Sequence, residues 1–194
     1  MLILVAVIIG LAIAFLRHGR SRGLAEKIKA PYLVIVSVLC EGMISPLMKW
    51  LPSVFPEYLW ILIIVQYMLL FLFFMINAHL WTMSVIAIGV LMNFAVIVFN
   101  GCRMPISDHI YAVPFMARAL ERILSGDLPE YFIMHEKVPL WFLGDIFYIP
   151  VKGAGFASIG DFFMSLGVIL VMQQCMTPAK PRHLKDAEKA ADEH

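Results

Sequence analysis

Asp145 and Asp161 are the residues whose type and spacing best suit chemistry. The fifteen residues between them include Pro150, Lys152, Gly153 and Gly155, the composition of a folded-back loop, and Asp161 opens an apolar run. Two carboxyls meeting at the mouth of an apolar helix, partly desolvated, cannot both ionise. They share a proton, so one serves as general base toward water while the other donates to a carbonyl or leaving amine. Asn100 and Ser158 are candidates to orient a peptide, and Arg103 to hold a lipid phosphate or tune the acids. The same residues have a structural use. An Asp at the start of a helix satisfies free backbone N–H groups for ~1 kcal/mol, and Asp145 has Arg103, Lys137 and Lys152 as possible ion-pair partners.

A second polar set, Glu41, Gln66 and Asn93, lies inside apolar runs. An ionisable group at that depth is costly, so Glu41 is a candidate for an ion or proton path. Its structural alternative is a protonated acid hydrogen-bonded to Gln66 or Asn93 on a neighbouring helix. His79 stands at a helix end, where it would cap the helix or meet a haem or pigment. Asp108, His109, His135 and Glu136 match no metal-ligand spacing, and Cys40, Cys102 and Cys175 form no CxxC, so neither a metal nor a cofactor is expected.

The elements that must position these groups are membrane helices. Of 194 residues, 61% are hydrophobic and 15% charged, and mean hydropathy is +0.85, whereas soluble domains carry about 25% charged residues. The basic residues form no tract that would bind nucleic acid. The pattern predicts an all-α, polytopic helix bundle with about five spans, at 1–17, 31–50, 57–76, 79–99 and 161–177. Residues 1–178 form a single transmembrane domain in this reading, and 179–194 a polar cytoplasmic tail. Five Lys and Arg fall in the first loop and four in the tail, against six over the longer outer segments. The positive-inside rule then sets the N-terminus outside and the C-terminus in the cytoplasm of a cell inner (plasma) membrane. Residues 100–160 become an extracytoplasmic cap. Within it Ala112, Met116, Leu120, Ile123 and Leu124 line one face of an amphipathic helix started by Pro114 and stopped near Gly126. The apolar stretch 131–149, bounded by Pro129 and broken by Pro139, reads as a partly buried or re-entrant piece.

Three blocks carry a resemblance: Asn100-Gly101-Cys102-Arg103-Met104-Pro105, Leu143-Gly144-Asp145-Ile146 and Ser158-Ile159-Gly160-Asp161. They resemble a family of bacterial multi-pass membrane proteins of unknown function, a likeness that brings no activity with it. More distantly, Asp161 with Met164, Gly167 and Leu170 is similar to the Asp-x-x-Ile-x-x-Gly pattern of signal peptidase II, the lipoprotein signal peptidase. That resemblance implies a catalytic Asp145/Asp161 dyad. Three features depart from that enzyme's pattern. Its Asn-x-Ala-Asp reads Ser158-Ile159-Gly160-Asp161, its Asn-x-x-Asp-Arg block is echoed by Asn100 and Arg103 alone, and it has four spans.

The leading expectation is a non-catalytic accessory or scaffold subunit of a membrane complex, with the bilayer and partner subunits as its contacts. The alternatives are an intramembrane aspartic-type hydrolase acting on a membrane-anchored substrate, and a small proton- or ion-coupled carrier using Glu41.

Overall fold

Helices occupy each stretch where the sequence predicts a span. The computed structural model describes residues 2–51, 55–150 and 155–176. The long helices are α1 (Leu2–Leu16), α3 (Tyr32–Trp50), α4 (Phe55–Ile76), α5 (Trp81–Phe99) and α7 (Ile159–Cys175), and a short α2 (Arg22–Lys27) lies in the first loop. Each long helix follows from a predominantly apolar run closed by a polar residue, a proline or a turn. Pro31, whose ring fixes φ in the helical range, caps the start of α3, and the Asn77 to Leu80 turn separates α4 from α5. The architecture is mostly helical. Among the described residues two helices, over Tyr58–Ile76 and Trp81–Phe99, are long and apolar enough to cross a membrane. The expectation of about five spans is not supported: α1 and α7 have 15 and 17 residues against the roughly 20 a bilayer requires. The apolar part of α3 ends at Ile44, ahead of Ser45, Pro46 and Lys49. The polar tail 179–194 and Lys152 lie outside the described residues.

The long helices form two groups. In one, α7 packs along both α5 and α1; in the other, α3 packs along α4; the groups meet where α4 touches α5. Small residues set the first group's spacing. A Cβ at Gly89 would strike the Gly160 carbonyl, and a Cβ at Gly167 would strike Ile86, so α5 and α7 approach backbone to backbone. Large apolar side chains such as Ile8, Leu39, Met75 and Leu91 cover the outer faces.

A cap, residues 100–158, sits at the end where α5 stops and α7 starts. It holds α6 (Ala117–Leu124) and four short strands, β1 (Met104–Ser107), β2 (Tyr131–Met134), β3 (Phe147–Ile149) and β4 (Gly155–Ala157). Strands β1 and β2 pair in parallel from Met104↔Tyr131 to Ser107↔Met134, with α6 in the crossover that parallel pairing requires. Strands β3 and β4 form an antiparallel hairpin, the folded-back segment between Asp145 and Asp161. The cap is therefore more than the helix and loops the sequence suggests. Stretch 131–149 is a strand, a 3-10 turn at Trp141–Leu143 and a second strand. The amphipathic reading of α6 holds for Met116, Leu120 and Ile123, which pack on Ile106 and Ile110, and the helix is preceded by 3-10 turns through Pro114. Leu124, expected on the same face, is 65% exposed. It follows Ile123 by one position, a rotation of about 100° on a helix.

Candidate functional site

A cavity of about 570 Å³ separates the two helix groups. One end lies among Leu24, Ile28, Phe73 and Phe74, near the α4–α5 turn; the other lies under the cap, at Glu130, Tyr131 and Asp145. Glu41, Gln66, Asn93 and Asp161 line it between those ends, so the two acids singled out from the sequence and the polar set inside the apolar runs line one chamber.

Asp161 is held through both carboxylate oxygens. Its carboxylate accepts the Ser158 backbone N–H at 3.1 Å, its own N–H donates to Ser158 Oγ at 2.9 Å, and the two bonds make a capping box for α7. Asn93 closes the ring from α5: its amide donates to Asp161 Oδ1 at 3.0 Å, and its Oδ1 accepts from Ser158 Oγ at 2.9 Å. Gly160 permits the approach, since a Cβ there would fall on Asn93 Oδ1 and on the Gly89 carbonyl.

Asp145 is held by its backbone and left open at its side chain. Its N–H donates to the Pro105 carbonyl at 2.9 Å and its carbonyl accepts from Ser107 N–H at 3.0 Å, which fixes the residue along the free edge of β1. The side chain is 8% exposed, and Oδ1 is buried without a hydrogen-bond partner among the described residues. Burial, and then the negative charge of Asp161, raise its pKa well above the usual carboxylate value. Asp145 and Tyr131 also line a smaller cavity of about 210 Å³ beneath α6, which places both in the wall between chamber and cap. Beside them Glu130 has a buried Oε2 unpartnered among the described residues, and burial raises its pKa, opposed by a backbone hydrogen bond and by Arg122. The Tyr131 phenol is pushed up by burial and then by the charge of Asp145.

Glu41 accepts from the Gln66 amide at 3.2 Å, which ties α3 to α4. Asn93, the other partner considered for Glu41, is committed to Ser158 and Asp161. The residues expected to orient a substrate are engaged elsewhere. Asn100 donates to the carbonyls of Val96 and Pro139 at 2.7 and 2.8 Å, and Arg103 to those of Pro129 and Tyr131 at 3.0 and 2.7 Å. Neither lines the chamber, and Ser158 is fully buried in the α7 cap. Arg103, a proposed ion-pair partner of Asp145, instead lies over the Phe132 ring, and Lys137 lies over Trp141. His79 contacts the Lys27 carbonyl at 3.1 Å, in keeping with a cap at a helix end. Among the described residues no group of His, Cys, Asp and Glu is arranged to hold a metal.

Sequence reasoning missed Glu130, Tyr131 and Tyr67 as chamber residues. The available signal was an acid embedded in Leu128-Pro-Glu-Tyr-Phe-Ile-Met, where a surface loop would surround it with polar neighbours.

The chain belongs to a family of unknown function, DUF5317, whose model matches residues 25–173. No curated protein and no solved structure matches it.

Proposed function

We propose that this DUF5317 chain is a five-span integral membrane protein of the inner membrane, non-catalytic, that holds an apolar ligand drawn from the bilayer in its central chamber. The cavity of about 570 Å³ carries this reading. Its volume and its mainly apolar lining, with a few polar groups, are those of a small-molecule site. A scaffold would have closed such a gap, because empty apolar space costs ~24 cal/mol per Å³. Spans α1, α3 and α7 are short, and Arg17 at the end of α1 can extend its reach by snorkelling. Orientation follows the charge bias: the first loop, the α4–α5 turn and the C-terminal end of α7 inside, the cap outside.

Purification of the native chain into neutral lipid nanodiscs, followed by native mass spectrometry, tests the reading. A stoichiometric small molecule is expected with the native chain. It should be lost from Val168→Trp, which fills the chamber, without loss of a monodisperse protein. Equal retention by both chains would place the molecule elsewhere and overturn the proposal.

One observation favours a second reading. Asp145 and Asp161 line the same chamber, with Asp145 buried and one of its oxygens unpartnered among the described residues and Asp161 anchored, and two carboxyls in such unequal settings suit general acid and base roles. As a hydrolase, the Asp145→Asn chain would trap a membrane-anchored substrate that the native chain does not retain. A protein partner held in fixed ratio by both chains would instead mark a subunit of a complex.

A further inference from the structure

The chamber carries a charge pattern that an apolar ligand alone does not explain. Its wall presents the carboxyl groups of Glu41, Glu130, Asp145 and Asp161, and among the described lining residues there is no Lys, Arg or His. Two of these acids have a buried oxygen without a partner among the described residues, Asp145 Oδ1 and Glu130 Oε2, and Asp145 is more than nine-tenths buried. An unpaired buried polar atom costs about 1–3 kcal/mol. It is tolerated where a bound cation, by a donor or by its charge, supplies the missing partner. The nearby cations point elsewhere, Arg103 to the Pro129 and Tyr131 carbonyls and Lys137 to the Trp141 ring. The rest of the wall is apolar and aromatic, including Tyr67, Phe73, Phe74 and Tyr131. Aromatic faces attract organic cations.

From this juxtaposition we infer that the ligand is an amphiphilic organic cation, a protonated amine or an onium group on an apolar body. Its head lies at Asp145 and Glu130 and its body runs toward Tyr67 and Phe73. The inference rests on the ligand-chamber reading and names the class of molecule. A small inorganic cation would leave most of the apolar wall uncovered, and an anionic lipid would meet four acids with no counter-charge.

Tetraphenylphosphonium and tetraphenylborate share size and shape and differ in sign, which makes them suitable probes. Binding of the radiolabelled cation to the full native chain in neutral nanodiscs is measured by scintillation proximity, with protein-free discs as background. Radiolabelled tetraphenylborate and the uncharged amphiphile monoolein, also radiolabelled, are measured in the same way. Saturable cation binding is expected. Asp145→Asn combined with Glu130→Gln should weaken it about tenfold or more, and Glu121→Gln, an exposed acid on α6, should leave it unchanged. Saturable monoolein binding without cation binding would leave the chamber reading standing and overturn the cation inference. Saturable binding of neither would overturn both. The comparison of ligand signs uses the native chain alone, so it does not depend on the variants folding.

Discussion

Asp145 and Asp161 are chemically the same group in opposite circumstances. Asp161 spends its oxygens on the Ser158 N–H and the Asn93 amide. Asp145 has a backbone fixed by β1 and a carboxyl facing the chamber with one oxygen unpaired. Because folding raises the Asp145 pKa above its ordinary 3.8, the folded chain binds that proton more tightly than the unfolded chain. Its contribution to stability is complete below about that value and is lost as pH rises through the raised folded pKa. Asp145→Asn, neutral at every pH, should therefore flatten the fall in Tm on going from acid to neutral pH and leave the variant more stable than the native chain at neutral pH. Thermal unfolding in detergent across that range measures it, with ~2–4 °C for each ~1 kcal/mol. An unchanged pH profile would mean that Asp145 is not the buried acid that titrates. Part of this residue-scale detail was legible in the chain. Ser158-x-x-Asp161 before an apolar run is a capping-box signature, and Glu41 with Gln66 were evident as polar groups inside apolar runs. The partner of Asn93 was not legible, because that bond spans 68 residues and depends on how α5 and α7 are rotated.

The elements divide along the same line. Helix ends were readable because each apolar run stops at a local signal: Arg17, Pro31, Trp50 or Asn77. The β1–β2 pair was not, since parallel strands of four residues lack room for an alternating pattern and are joined through a distant crossover. Arg103 staples that pair by reaching the carbonyls on both sides of Glu130, which turns a residue suspected of substrate contact into a positioning one. Packing between α5 and α7 gives a sharper test. Gly160→Ala would drive a methyl group into Asn93 Oδ1 and the Gly89 carbonyl, where overpacking costs about 1–3 kcal/mol and the capping ring is broken as well. Gly42, inside α3, meets nothing within 4 Å of an added Cβ. There the same substitution should be neutral or stabilising by about 0.5–1 kcal/mol through helix propensity. Thermal unfolding of the two variants side by side should show opposite shifts. A mild Gly160→Ala would mean that the α5–α7 approach is not tight.

At the scale of the molecule, polar contacts gather at the two ends of the helices and do different work. At one end Asn77 is fully buried, donates to the Lys29 and Phe73 carbonyls and accepts from Lys29 N–H, while Lys27 donates to the Gln174 carbonyl and Arg17 to Gln173. The first loop, the α4–α5 turn and the end of α7 therefore lie on one side, the side that carries the basic first loop. At the other end the cap closes over Asp145 and Glu130. The arrangement makes topology a direct prediction from the charge bias. In a chain with Cys40, Cys102 and Cys175 replaced by serine, a cysteine at exposed Ser125, just after α6, should react with a membrane-impermeant maleimide on intact cells. A cysteine at exposed Ala78, in the α4–α5 turn, should react only after the membrane is permeabilised. The reverse pattern would place the cap in the cytoplasm, and the chamber would then draw its ligand from the other side. Labelling of both sites on intact cells would mean that α5 does not cross, and it would remove the membrane from between the acids of the cap and the basic loop.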